Sequence, residues 1–268
     1  MKKLTLLLSL FAASVFFTGC ISSTTAAGAV GADRSQLLLI SEAEMEANAN
    51  ISYAEVLKEA QAAKTLNTDK AVTQRVQNIA DRLIAQTGVF REDAKDWDWQ
   101  VNVISDPTVN AWCMPGGKIV VYTGIIDSLQ LTDGELAAVM GHEIAHALKE
   151  HSREQASQTS LKNTGLSILT DVTGMGQKES TAMALLAQYG FTLPFSRSHE
   201  TEADHIGTEL MARAGYDPYE AVNVWKKMSE GSSGEIPELL STHPSHSSRI
   251  KDLTKIAEQV YYLYEETK

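Results

Sequence analysis

Residues 139–148 read Val139-Met140-Gly141-His142-Glu143-Ile144-Ala145-His146-Ala147-Leu148, and the reading of the chain starts from them. On a helix, positions i and i+4 share a face, so His142 and His146 offer two imidazoles to one point. This is the H-E-x-x-H pattern: two ligands for one metal ion, with Glu143 placed to take a proton from a metal-bound water. The helix has a start signal. In Leu131-Thr132-Asp133-Gly134-Glu135, Thr132 is the N-cap and Glu135, three residues on, completes a capping box. Leu136, Val139, Met140, Ile144 and Leu148 carry the apolar face onward.

A catalytic zinc site keeps three protein ligands and one open position. The three-histidine extension of this motif needs Gly at 149 and His at 152; Lys149 and Ser152 exclude it. His151, five residues after His146, falls off the ligand face of a regular helix and reads as a solvated helix-end residue. The third ligand should then be a carboxylate on another helix. Residues 196–215 form that helix, with Gly215 as a stop and Pro218 beyond it. Glu200 and Asp204 share a face beside the apolar stripe Ala203, Ile206, Gly207 and Leu210. A carboxylate near a core needs a partner, which Glu200 finds as a ligand and Asp204 as hydrogen-bond acceptor for a ligand histidine. Glu202 points away and reads as solvated; His199 and His205 read as flanking, non-ligating residues.

With His142-Glu143-Ile144-Ala145-His146 and Glu200-Thr201-Glu202-Ala203-Asp204 in hand, the chain resembles the HtpX-type and a-factor-converting-type zinc endopeptidases, gluzincins with H-E-x-x-H followed by E-x-x-x-D. Two further blocks resemble that family. They are Asn110-Ala111-Trp112-Cys113-Met114-Pro115-Gly116-Gly117-Lys118-Ile119-Val120-Val121 before the metal helix and Thr242-His243-Pro244-Ser245-His246-Ser247-Ser248-Arg249-Ile250 near the C-terminus. The resemblance spans roughly residues 70–260, and by layout it is strongest to periplasmic lipoprotein members. It implies one Zn²⁺ per chain on His142, His146 and Glu200, with Glu143 as general base. It also makes His243 and Arg249 the candidates for oxyanion donors; His243 has a second option, binding zinc in a resting state. His246 reads as the first turn of the last helix.

The ends supply an address. Met1-Lys2-Lys3 is basic, Leu4 to Phe17 is a short apolar run, and Phe17-Thr18-Gly19-Cys20 reads as a lipobox. Residues 1–19 are thus an expected signal peptide and Cys20 the expected lipidation site. Residue 21 is Ile, not Asp, so the outer membrane, facing the periplasm, is the expected location. Cleavage removes Lys2 and Lys3 and no acids, which takes the net charge from −11 to −13. A chain so acidic disfavours nucleic acid as a partner. With Cys20 lipidated, Cys113 has no partner, so no disulfide framework is expected.

Residues 20–40 read as a flexible tether, Ser/Thr/Ala/Gly-rich over 21–35, and 41–268 as the metallopeptidase domain. The expected fold is α+β and mostly helical, a gluzincin-like domain with a small antiparallel-edged sheet over the H-E-x-x-H helix. Helices are expected over 41–64, 68–87, 218–229 and 246–267, and strands at 97–103, around Trp112, and at 119–122 after the Pro-Gly-Gly turn. Residues 152–190 read as a helical insertion that could cover the cleft, and 231–237 as a loop. Asn110, Ala111 and Trp112 should lie on an exposed strand edge, where an extended polypeptide can add antiparallel. The expected function is a zinc endopeptidase for unfolded or misfolded envelope proteins, attached to the membrane through its N-terminal lipid. The alternative is a latent protease acting mainly as a chaperone or assembly factor with the envelope assembly machinery.

Overall fold

The computed structural model describes residues 21–161, 194–230, 238–243 and 248–268. The expectations for residues 1–19, Cys20, the insertion from 162 onward, the loop 231–237 and His246 fall outside them. Strand β1 (Ile21–Ser22) pairs antiparallel with β2 (Gln36–Leu37). Helices α1 (Glu42–Ala62) and α2 (Lys70–Ile84) follow, each with a side-chain cap: Ser41 accepts from the Glu44 N–H, and Asp69 from those of Ala71 and Val72. A three-stranded sheet comes next, built from β3 (Gln100–Ile104), β4 (Ala111–Met114) and β5 (Lys118–Tyr122). Its order is β3-β5-β4, with β3 parallel and β4 antiparallel to the central β5. Helices α3 (Thr123–Leu129), α4 (Asp133–Leu148), α5 (151–161), α6 (Arg197–Arg213), α7 (Tyr219–Glu230), α8 (Glu238–Thr242) and α9 (Arg249–Glu265) complete the described chain.

The fold class is as expected, mostly helical with a small sheet, but the first strand starts later. Trp97 and Trp99 precede β3. Their rings stack 5.4 Å apart, and Trp99 Nε1 donates to the Ala94 carbonyl at 2.8 Å, which ties them to the preceding turn. No helix among the described residues is long and apolar enough to cross a membrane.

Helix α4 is the centre of the molecule. The capping box forms, with Thr132 Oγ1 accepting from the Glu135 N–H and the Glu135 carboxylate accepting from the Thr132 N–H. From Glu135 to Leu148 every residue is buried, because β4, α2, α6 and α7 pack around the helix. Strand β4 turns Ala111 and Cys113 toward this core and Trp112 and Met114 toward α1, the alternation of a strand with two covered faces.

The expected flexible tether is instead packed. Lys149 is fully buried just past α4, and its ammonium donates to Ser23 Oγ, Thr25 Oγ1, Ala32 O and Arg34 O at 2.8–3.1 Å. Burial lowers the Lys149 pKa, and an interior ammonium needs such acceptors. Hydroxyls of Ser23 and Thr25 and backbone carbonyls of Ala32 and Arg34, in the stretch that reads as linker, supply them. Gln36 adds two bonds, to the Lys149 carbonyl at 2.6 Å and to Glu154 at 2.8 Å.

Candidate metal centre and catalytic site

The site is made where α4 crosses α6. Gly141 and Gly207 meet at the crossing, so backbone lies on backbone. That approach brings Glu200 and Asp204 of α6 level with His142 and His146 of α4. His146 Nε2 lies 3.1 Å from His142 Nε2, and Glu200 lies 3.5 Å from each of these nitrogens. His142, His146, Glu200 and His243 offer ligand atoms within 4.8 Å of one another, all four residues buried. Two imidazoles and a carboxylate converging on one point fit a zinc ion, with His243 as a further donor.

Electrostatics agree with that fit. Burial alone would lower the His142 pKa, yet its hydrogen bonds to Asp204 and Glu200, and their charge, push it up to about 9. The pocket favours positive charge there. His146, desolvated, is held well below the ordinary histidine range. Burial would raise Glu200, but its bonds to His142, His146 and His243 hold it far below the usual carboxylate range. Glu143, Glu200 and Asp204 are three buried carboxylates, and Arg249 is the buried guanidinium that pairs with two of them, Glu200 and Asp204. A dication balances the remainder.

The structure places Asp204 Oδ1 3.0 Å from His142 Nδ1. Arg249 does not act as read from the sequence. Its Nη1 donates to Glu200 at 2.9 Å and its Nη2 to Asp204 at 2.8 Å, while the guanidinium stacks 3.3 Å over the Trp225 ring. Both forks face the acids, so Arg249 orients Glu200 and Asp204 instead of pointing at a developing oxyanion. His243 comes into the donor group: Nδ1 is 2.9 Å from Glu200 Oε1 and 3.2 Å from His142 Nε2, and Nε2 is 3.5 Å from Glu143 Oε1. Glu143 Oε1 is buried and has no hydrogen-bond partner among the described residues. Burial raises the Glu143 pKa, while the charges of His243 and His142 pull it down. A carboxylate kept from water and moved toward neutrality suits a general base.

His151 is not solvated. Helix α4 ends at Leu148, Glu150 takes a left-handed backbone (φ 51°), and α5 starts afresh, which swings His151 back under His146. Its Nδ1 sits 2.9 Å from His146 Nδ1, and its Nε2 3.1 Å from Glu202. Burial pushes His151 down to about 4, so the ring is neutral. Glu202 is therefore not a free surface acid; it also takes two bonds from Arg34, both 2.7 Å. His199 is buried, 3.2 Å from Glu154, and His205 pairs with Asp252 at 3.0 Å; neither joins the donor group. Phe195 stacks on His146 at 4.1 Å and was not singled out by the sequence.

Strand β4 is a sheet edge as expected, and no strand pairs with its outer side among the described residues. The Asn110 carbonyl accepts from Tyr122 N and the Met114 carbonyl from Gly117 N, so those two residues turn inward. By alternation, Ala111 and Cys113 turn their backbone groups outward. Asn110 Oδ1 accepts from the Ala111 N–H at 2.9 Å, which caps the start of the edge. Strand β4 packs against α4; burial raises the Cys113 thiol, and the charge of Glu143 raises it further, so Cys113 stays a thiol.

The model of peptidase family M48 matches residues 70–257. The chain belongs to peptidase family M48. Its metallopeptidase domain is of the zinc-dependent kind. The chain is 37% identical over 205 residues to the mitochondrial metalloendopeptidase OMA1 of Schizosaccharomyces pombe, covering 75% of this chain and 58% of that protein. It is 40% identical over 173 residues to the OMA1 of Arabidopsis thaliana, 63% of this chain and 34% of that one. It is 27% identical over 216 residues to the beta-barrel assembly-enhancing protease of Yersinia pestis, 76% of this chain and 43% of that one. The chain thus spans less than two thirds of the length of each of these relatives.

Proposed function

We propose that this M48 chain is a zinc endopeptidase that cuts extended, unfolded polypeptides. One observation carries the reading: His142, His146 and Glu200 converge in a buried pocket beside Glu143, whose Oε1 has no hydrogen-bond partner among the described residues. Bound zinc would polarise the scissile carbonyl and bring a bound water's pKa to about 7. Glu143 would accept a proton from that water and pass it to the leaving amine. Asp204, accepting from His142 Nδ1–H, fixes the tautomer that leaves Nε2 for the metal. Arg249 holds both carboxylates in place.

The substrate track we propose is β4. An extended chain adding to the outward Ala111 carbonyl and the outward backbone groups of Cys113 lies beside Glu143, with Asn110 and Trp112 flanking it. Pairing of this kind reads backbone first and suits unfolded substrates. We further propose that the chain acts on envelope proteins, from a lipid anchor at Cys20 on the periplasmic face of the outer membrane. The Phe17-Thr18-Gly19-Cys20 sequence and the name of the Yersinia pestis relative support that address; the mitochondrial OMA1 relatives do not speak for it.

The position of His243 favours a second reading, a largely latent protease with an assembly role. With Nδ1 beside His142 and Glu200, His243 would take the fourth position on the metal in place of water. Casein digestion by the protein as purified, after chelation, and after zinc return tests the proposal. Cleavage lost on chelation and restored by zinc is expected. Cleavage indifferent to chelation would overturn it; persistent binding of unfolded casein without cleavage would favour the latent reading.

A further inference from the structure

We infer that Arg34, Glu202 and His151 form a positioning chain for the ligand His146, which makes the N-terminal segment 23–38 part of the metal site. This rests on the zinc reading above. If His146 binds metal through Nε2, its ring proton sits on Nδ1. The only described side-chain atom hydrogen-bonded to that nitrogen is His151 Nδ1, 2.9 Å away, which must then be the unprotonated acceptor. His151 therefore carries its proton on Nε2 and donates it to Glu202 Oε2 at 3.1 Å. Glu202 is held in turn by the fork of Arg34, Nε to Oε1 and Nη2 to Oε2, both 2.7 Å. Arg34 also grips Glu154 at 2.7 and 2.9 Å, and Glu154 faces His199, which stacks on His151 at 4.5 Å.

Every link has a defined direction, and each fixes the next. His142 is steadied by a carboxylate directly; His146 is steadied by a carboxylate through a second imidazole. Outer partners of this type set ligand orientation and basicity, and their loss weakens metal affinity by about 10–100-fold. What is particular here is where the chain ends. Arg34 sits on a segment clamped by Lys149 and Gln36, so release of that clamp would free the ring of His146.

The test measures zinc affinity by chelator competition, and the visible spectrum of the cobalt-loaded protein, for the wild-type chain and four variants. His151→Leu removes the acceptor, His151→Asn keeps an acceptor near the Nδ1 position, and Glu202→Gln and Arg34→Ala break the outer links. The expected order of affinity is wild type, then Asn, then Leu, with Leu down by about 10–100-fold and its cobalt bands moved. Glu202→Gln and Arg34→Ala should shift in the same sense with the far-ultraviolet circular dichroism unchanged. They keep the inference testable if His151→Leu does not fold, since Arg34 is at the surface. Wild-type affinity and cobalt bands in folded Glu202→Gln and Arg34→Ala would overturn the chain and leave the zinc reading standing. No metal binding by the wild type would overturn both.

Discussion

Gly207 of α6 lies directly on the backbone of His142: a Cβ built on Gly207 would fall 2.7 Å from His142 N and 3.0 Å from Gly141 O. The converse holds too, since a Cβ on Gly141 would fall 2.9 Å from Gly207 O. Both obstacles are helix backbone, which cannot give way without the helices separating. Alanine at 207 gains about 1 kcal/mol of helix propensity but meets an overpacking cost of about 1–3 kcal/mol. Overpacking should win, because neither contact is to a flexible side chain. Gly207→Ala is expected to lower the melting temperature and the zinc affinity together, as Glu200 moves away from His142. A folded Gly207→Ala protein with wild-type zinc affinity would show that the crossing does not set the ligand geometry.

Glu200→Ala removes the third ligand and leaves Arg249 without one of its two acids. Metal analysis should find zinc lost from this variant and from His146→Ala. Undiminished zinc in Glu200→Ala would move the third ligand elsewhere, with His243 the nearest alternative donor.

Arg249→Met should destabilise the metal-free protein more than the zinc-loaded one. Without metal, Glu200 and Asp204 are left as buried charges with no guanidinium, and breaking such a pair typically costs about 3–5 kcal/mol. Bound zinc compensates part of that charge. Urea unfolding with and without zinc measures the difference; equal losses in the two states would contradict it.

Acid should loosen the N-terminal segment. For Glu202, burial acts to raise the pKa, but the bonds from His151 and Arg34 prevail and hold it at about 2, against an ordinary value of 4.5. Glu154 is lowered in the same way, Arg34 first among its partners. A carboxylate depressed in the folded state stabilises it above the unfolded pKa, and that contribution is lost as pH falls toward the folded value. Stability should therefore decline between about pH 4.5 and 2, and Glu202→Gln should flatten part of that decline. An unchanged acid profile in Glu202→Gln would contradict the assignment.

What the sequence shows of this site follows from how local each signal is. His142, Glu143 and His146 sit on one helix whose capping box is written in Thr132 and Glu135, so spacing alone places them. Glu200 and Asp204 are equally local to α6. Arg249 defeated the reading because a fork satisfied by two acids and a fork aimed at substrate look the same in a linear chain. His151 defeated it because a left-handed turn at Glu150, without glycine to mark it, restarts the helix. The 23–38 segment has a composition that suits a linker, and only the buried Lys149 ammonium shows why those hydroxyls and carbonyls are fixed.

The central claim is that Glu143 is the base in a zinc site it does not help to hold. The most direct measurement is zinc content and casein cleavage on the same preparations of wild type and Glu143→Gln. The expected result is one zinc per chain in both, with cleavage in the variant reduced by at least about 100-fold. Equal cleavage by the two, at equal zinc content, would contradict it.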